Sequence, residues 1–214
     1  MTAREEVLAR IATAHRAAPP PDLAYEAVAR GYRTTSDLGP ESLVDLLVDR
    51  LVDYKALVRR CIDTDLPSTI TTALAERGLT VLVVPAGLQP DLLDAVAVEI
   101  RRDQSPDDLS VADLDAADGV LTTCAVAVAE TGTLILDGSA GMGRRVVTLI
   151  PDYHLCVVRV DQICADIPQA LAQLEPTRPL TMISGPSATS DIELNRVEGV
   201  HGPRTLEVII VGSG

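Results

Sequence analysis

The sequence predicts an α/β domain, and three observations carry that prediction. From about residue 57 onward, short runs of Val, Ile and Leu alternate with helical stretches, which is the pattern of βαβ units. Hydrophobic residues make up 47% of the chain, yet there is no Trp, no Phe and only four Tyr. A core of Leu, Val, Ile and Ala suits helices packed on a sheet. A length of 214 residues is enough to bury such a core in one domain without disulfides or a structural metal.

Residues 2–16 read as a charged helix with Val7, Leu8 and Ile11 on one face, stopped by Pro19, Pro20 and Pro21. A second helix at 40–57 carries Leu43, Leu46, Leu47, Val48 and Leu51 in a stripe broad enough to lie on a sheet. The chain therefore divides into an N-terminal helical segment, residues 1–40, and an α/β domain, residues 41–214. A strand is expected at 56–61, a helix at 68–77 ending at Gly78, a buried strand at 79–84, a short helix at 90–98 and a strand at 109–112. Residues 119–129 read as one long strand entering a turn at Glu130, with further strands at 133–136, 146–150 and 155–160. Some of these lie too close together for intervening helices, so the middle of the sheet is expected to be mixed, with a β-hairpin. A helix at 161–174, with Asp161 as N-cap and Pro176 beyond its end, precedes a strand at 180–183. A loop from Ser184, a short helix to Val197 and a last strand at 205–211 complete the order.

The net charge of −13, from 18 basic and 31 acidic residues, disfavours nucleic acid and anionic lipid as partners. An anionic ligand would need a local group of Arg or backbone N–H donors. The N-terminus lacks the apolar core of a signal peptide, and no stretch reaches the roughly 18 apolar residues of a membrane span, so a cytoplasmic protein is expected. Cys61, Cys124, Cys156 and Cys164 form no Cys-x-x-Cys pair. No metal, iron–sulfur or other cofactor site is expected in this chain, and the four read as small buried hydrophobes.

Three constellations hold the polar chemistry. In the first, Ser184, Gly185, Pro186, Ser187, Ala188, Thr189, Ser190 and Asp191 follow an apolar strand and precede the expected helix, where α/β sheets bind ligands. Ser190 and Glu193 fit a capping box, which would point backbone N–H groups toward an anion. A plain turn built on Gly185 and Pro186 accounts for the same residues. In the second, Glu130, Thr131, Gly132 and Thr133 place a carboxylate, two hydroxyls and a flexible backbone position together. Glu130 could serve there as base or nucleophile, or sit exposed in a hairpin turn. In the third, the loop from Gly138 ends in Arg144 and Arg145, whose guanidiniums suit a carboxylate or phosphate. Gly141-Met142-Gly143 lacks the third glycine of a dinucleotide fingerprint and leads into Val146-Val147. His15 is expected to be solvated, while His154 and His201 are placed in turns, where either could exchange protons near neutral pH.

Residues 184–193 together with Gly199-Val200-His201-Gly202-Pro203 resemble the closing signature of LUD-domain proteins, the lactate utilisation protein C branch. Ala129-Glu130-Thr131-Gly132-Thr133 is similar to that family's other recurrent segment, and Arg30-Gly31-Tyr32-Arg33-Thr34 and the helix from Glu41 are similar too. The resemblance implies a Rossmann-like three-layer fold of the NagB, ribose-5-phosphate isomerase and CoA-transferase group, with the N-terminal helices packed on the domain. It also implies a part in oxidising L-lactate to pyruvate beside cysteine-rich iron–sulfur subunits, with the clusters in those partners. It supplies motif positions and no proven roles. Glu130 and His201 are then the candidate catalytic residues, and Thr131, Gly132, Thr133, Arg144, Arg145, Ser184, Gly185, Ser187, Thr189 and Asp191 the candidate ligand-binding ones. Three functions stand open: a subunit of a lactate-oxidising complex, a free-standing enzyme on a small anionic, phosphorylated or acyl-CoA metabolite using Glu130, and a regulatory or scaffold module that binds a metabolite unchanged.

Overall fold

The structure, a computed structural model, describes residues 2–17, 28–105, 107–190, 196–198 and 202–212. It contains two compact units, Met1–Arg33 and Thr34–Gly214. In the first, helix α1 (Ala3–Ala17) has no buried residue, and Val7, Leu8 and Ile11 all lie exposed.

The second unit is α/β, with a six-stranded parallel sheet flanked by helices. Helix α2 (Pro40–Asp53) leads to strand β1 (Leu57–Ile62), helix α3 (Leu66–Arg77) and strand β2 (Val81–Pro85). Strand β3 (Glu99–Asp103), helix α4 (Val111–Asp115) and strand β4 (Gly119–Thr123) follow. The central strands β7 (Tyr153–Arg159) and β12 (Thr205–Gly212) complete the order β1-β12-β7-β4-β2-β3. Near-continuous apolar runs such as Val208–Val211 are what a parallel strand covered on both faces requires.

Between these strands the chain leaves the large sheet twice. After β4 it forms β5 (Val126–Val128) and β6 (Thr133–Leu136). After β7 it forms β8 (Ile163–Cys164), helix α5 (Ile167–Gln173) and β9 (Thr181–Ile183). These four strands make a second sheet in the order β8-β5-β6-β9, with β5 and β6 as an antiparallel hairpin. One apolar layer joins the two sheets. Ala127, Ala129, Leu134 and Leu136 pack with Cys156, Val158, Val208 and Ile210, and Val44, Leu47 and Leu51 of α2 enter the same cluster. On the opposite face of the large sheet, Leu66, Ile70, Ala73 and Leu74 of α3 cover Leu82, Leu121, Leu155 and Ile209.

Several local expectations give way to this arrangement. Residues 119–129 are not one strand: the N–H of Thr123 donates to Gly141, whereas that of Ala125 donates to Ile135, so the chain changes sheets at Cys124. The expected mixed sheet is thus two sheets, one parallel and one mixed. The strand expected at 109–112 is the start of α4, because Ser110 and Asp113 cap it reciprocally. The strand expected at 146–150 is a 3-10 turn, Arg145–Thr148, that drives Val147 into a small core with Val83 and Val120. The helix expected from 90 stops after the 3-10 turn Pro90–Leu93, and an unexpected strand, β3, follows it. The helix expected at 161–174 begins only at Ile167, capped by Asp166 rather than Asp161, since Ile163 and Cys164 pair with β5. The short helix expected to run to Val197, with Ser190 as N-cap, is replaced among the described residues by an antiparallel pair. There β10 (Ala188–Ser190) faces β11 (Arg196–Glu198), with Ser190 opposite Arg196, and Glu193 lies outside the described residues. Of the cysteines, Cys124, Cys156 and Cys164 are buried and Cys61 is half-buried.

One carboxylate lies inside the face that α3 covers. Glu207 on β12 is 1% exposed, and its oxygens accept from Arg59 Nε at 2.5 Å and from the Tyr153 hydroxyl at 3.0 Å, with Arg77 Nε at 3.8 Å. Removing one partner leaves a buried charge short of donors. Arg59→Met is therefore expected to lower unfolding stability in urea by about 2–3 kcal/mol. Adding Glu207→Gln is expected to restore part of that loss, whereas additive losses would show that the two groups do not depend on each other.

Candidate functional site

Two sequence motifs meet through the small sheet. Strands β6 and β9 pair antiparallel with Leu134 opposite Ile183, which sets Thr133 beside Ser184. The Thr133 hydroxyl lies 2.7 Å from the Ser184 hydroxyl and 2.7 Å from that of Thr131. Helix α2 closes on both turns from one side. Gly132 has φ +59°, and a Cβ there would stand 2.8 Å from the Cβ of Arg50. Gly185 has φ +94°, and a Cβ there would stand 2.7 Å from the Cβ of Tyr54. Glycine is required at both positions for backbone conformation and for space.

A cavity of about 250 Å³ opens beside this junction. Ser184, Gly185, Pro186 and Ser187 form one wall, Arg145, Thr148 and Leu149 another, and Gly202, Pro203, Leu206 and His154 complete it, with Thr181, Met182 and Ile183 adjoining. The N–H of Ser187 donates to the Pro203 carbonyl at 2.8 Å, which ties the Ser184 loop to the segment entering β12. His154 and Leu206 are the second residues of β7 and β12 and stand opposite each other. The cavity therefore lies at the amino ends of the central strands, not at the carboxyl ends where open α/β sheets usually bind ligands.

His154 is not in a turn, as its neighbours Pro151 and Asp152 suggest in sequence, but is 1% exposed within β7. Its Nε2 shares a hydrogen bond of 2.8 Å with the Thr122 hydroxyl. Burial pushes its pKa down to about 4, so the ring is neutral at pH 7. In sequence His154 has no stronger claim than His201; its place as a polar residue inside the apolar run 153–158 is the available signal.

The remaining candidates separate. Arg144 is committed: its Nε and Nη2 donate to Asp103 at 2.9 and 2.5 Å, and Nη2 also donates to the Leu109 carbonyl at 2.9 Å. The guanidinium in turn holds the Asp103 carboxyl below the usual carboxylate range. Arg145, the next residue, lines the cavity and has no carboxylate in ion-pair range among the described residues. Glu130 is exposed at the hairpin turn and does not line the cavity. Its N–H donates to the Ala165 carbonyl at 3.0 Å, and its carbonyl accepts from Arg50 Nε at 3.3 Å. Thr131 is exposed, whereas Gly132 and Thr133 are buried. Thr189 lies on the backbone of β10, and Asp191 and His201 lie outside the described residues.

The LUD domain family pattern matches residues 111–211. The chain is 47% identical over 185 residues to lactate utilization protein C of Deinococcus radiodurans, covering 85% of each chain. It is 35% identical over 109 residues to lactate utilization protein C of Shouchella clausii, covering 48% of this chain and 47% of that one. Among solved structures it is similar to a DUF162 family protein from Deinococcus radiodurans, with a TM-score of 0.68 and 42% identity over 82% of this chain and 99% of that chain.

Two outcomes follow from the site's geometry. Gly185→Ala is expected to destabilise by about 1–3 kcal/mol, read as a lower melting temperature, because it forces a side chain into positive φ against Tyr54. An unchanged melt would mean that α2 can retreat from the loop. His154 has a folded pKa below that of the unfolded chain, so the unfolded state binds more protons. Stability is therefore full above about pH 6.5 and falls as pH drops toward about 4, by up to about 3 kcal/mol. Denaturation at a series of pH values checks this, and His154→Gln is expected to flatten that window.

Proposed function

We propose that this chain, which belongs to the LUD domain family, serves in the use of L-lactate as the component without iron–sulfur clusters, assembled with cysteine-rich iron–sulfur subunits that oxidise lactate to pyruvate. The observation that carries the reading is the 47% identity to a lactate utilization protein C across 85% of both chains. The site agrees with a binding role. Among the described residues its cavity presents the guanidinium of Arg145, which has no carboxylate in ion-pair range, and the neutral imidazole of His154, beside the Ser184 loop. Glu130, the candidate nucleophile of a free-standing enzyme, is outside that cavity, which favours a subunit over a complete enzyme.

Deleting the gene is expected to abolish growth on L-lactate as sole carbon source while leaving growth on glucose unchanged. Affinity purification from lactate-grown cells is expected to bring down a partner rich in Cys-x-x-Cys spacings. Normal growth on lactate would overturn the role, and purification of the chain alone would overturn the assembly.

A further inference from the structure

We propose that the cavity binds a small 2-hydroxy- or 2-oxocarboxylate, with Arg145 meeting the carboxylate and the inward ring nitrogen of His154 donating to the ligand's 2-oxygen. The choice of acid rests on the lactate reading above, whereas the placement of its groups rests on the cavity alone.

The proton on His154 can be located from its surroundings. The Thr122 hydroxyl has two acceptors in reach, His154 Nε2 at 2.8 Å and Cys156 Sγ at 3.9 Å. In the proposed pairing the hydroxyl donates to Nε2, the closer and stronger of its two acceptors, rather than accepting from it. A neutral ring must then carry its proton on Nδ1. Among the described residues Thr122 is the only hydrogen-bond partner of the His154 ring, and His154 lines the cavity. Nδ1 is therefore given to the ligand in this proposal, as a donor without charge.

The electrostatics select the ligand's charge. In a chain of net charge −13, Arg145 remains at the cavity without a carboxylate among the described residues, while its neighbour Arg144 is taken by Asp103. Among the described residues one cation and one neutral donor line the cavity, and these match a monoanion with a second oxygen. A phosphate dianion would call for a second cation. Leu149, Ile183 and Leu206 supply an apolar wall for a methyl group, and about 250 Å³ suits a three-carbon acid with water rather than a dinucleotide.

Calorimetric titration of the full chain at pH 7 with pyruvate, L-lactate, propionate and inorganic phosphate tests the assignment. Pyruvate or lactate is expected to bind at least about fivefold more tightly than propionate, which lacks the 2-oxygen, and more tightly than phosphate. Arg145→Gln is expected to weaken pyruvate binding by about tenfold or more, and His154→Phe to erase the preference over propionate. Because replacing a buried residue can disturb folding, the nitrogen shifts of His154 in the unaltered protein give a second readout. They are expected to report a neutral ring protonated on Nδ1 and to move on adding pyruvate. Absence of binding by pyruvate and lactate up to about 20 mM, tighter binding of phosphate, or undiminished affinity in Arg145→Gln would each overturn the assignment. Loss of growth on lactate without carboxylate binding would remove this ligand and leave the role standing. Binding with normal growth would do the reverse.

Discussion

The aliphatic layer shared by the two sheets is the constraint on which the rest of the structure depends. The small sheet has only short strands, one of two residues and two of three, too few to hold together without a covered face. Ala127 and Ala129 let it approach Val158, Val208 and Ile210 closely, and Leu134 and Leu136 fill the remaining space. A chain without Phe or Trp can build such a layer because branched aliphatic side chains interdigitate in a thin sandwich. Helix α2 closes the layer with Val44, Leu47 and Leu51, and the same docking brings Arg50 and Tyr54 against Gly132 and Gly185. The core thus fixes the two turns, and the turns fix the cavity wall.

The central strands carry His154 and Glu207, buried ionisable groups in neighbouring positions, and these have opposite characters. Leu206 stands opposite His154, and Glu207, the next residue, points to the other face of the sheet, toward α3. Glu207 meets Arg59, Tyr153 and Arg77, so its charge is compensated inside the protein. Among the described residues the His154 ring has one hydrogen-bond partner and no countercharge, and burial keeps it neutral. A saturated carboxylate is a structural element, because any ligand would have to displace a donor that already pairs with it. The His154 imidazole, by contrast, lines the cavity.

Much of the fold was legible because most elements are repetitive enough to reveal their period. The stripe on α2, the apolar runs of β2, β7 and β12, and the glycine ending α3 all carry their structure locally. Errors fell where a distant partner decides. Nothing near Cys124 records that the backbone bonds of Thr123 and Ala125 go to different segments, and the β-branched Val146 and Val147 suit a strand in isolation. The site was half legible. Thr133 and Ser184 stand out as hydroxyls flanking glycines, yet their contact depends on antiparallel pairing across 51 residues of sequence separation, which no local signal encodes. Arg144 and Arg145 are indistinguishable in sequence, and only the position of Asp103 decides which one is spent.

The same topology accounts for the cavity's place at the amino ends of the strands. In an open parallel sheet the crevice forms where connections leave the carboxyl ends. Here the carboxyl ends of β4 and β7 are occupied in another way: each strand passes directly into the small sheet, through Cys124 in one case and through the turn Val160–Gln162 in the other. The chain must then return twice to begin β7 and β12, and because these strands are neighbours the two return segments arrive side by side. One brings Arg145, Thr148 and Leu149, the other Ser184 through Ser187 and later Gly202 and Pro203. The hydrogen bond between Ser187 and Pro203 ties the loop that leaves β9 to the residues that enter β12. What lies between the two returns is the cavity, with His154 and Leu206 as the strand residues that face it. A cavity at this end of the sheet is thus a consequence of interrupting two parallel strands with one small shared sheet.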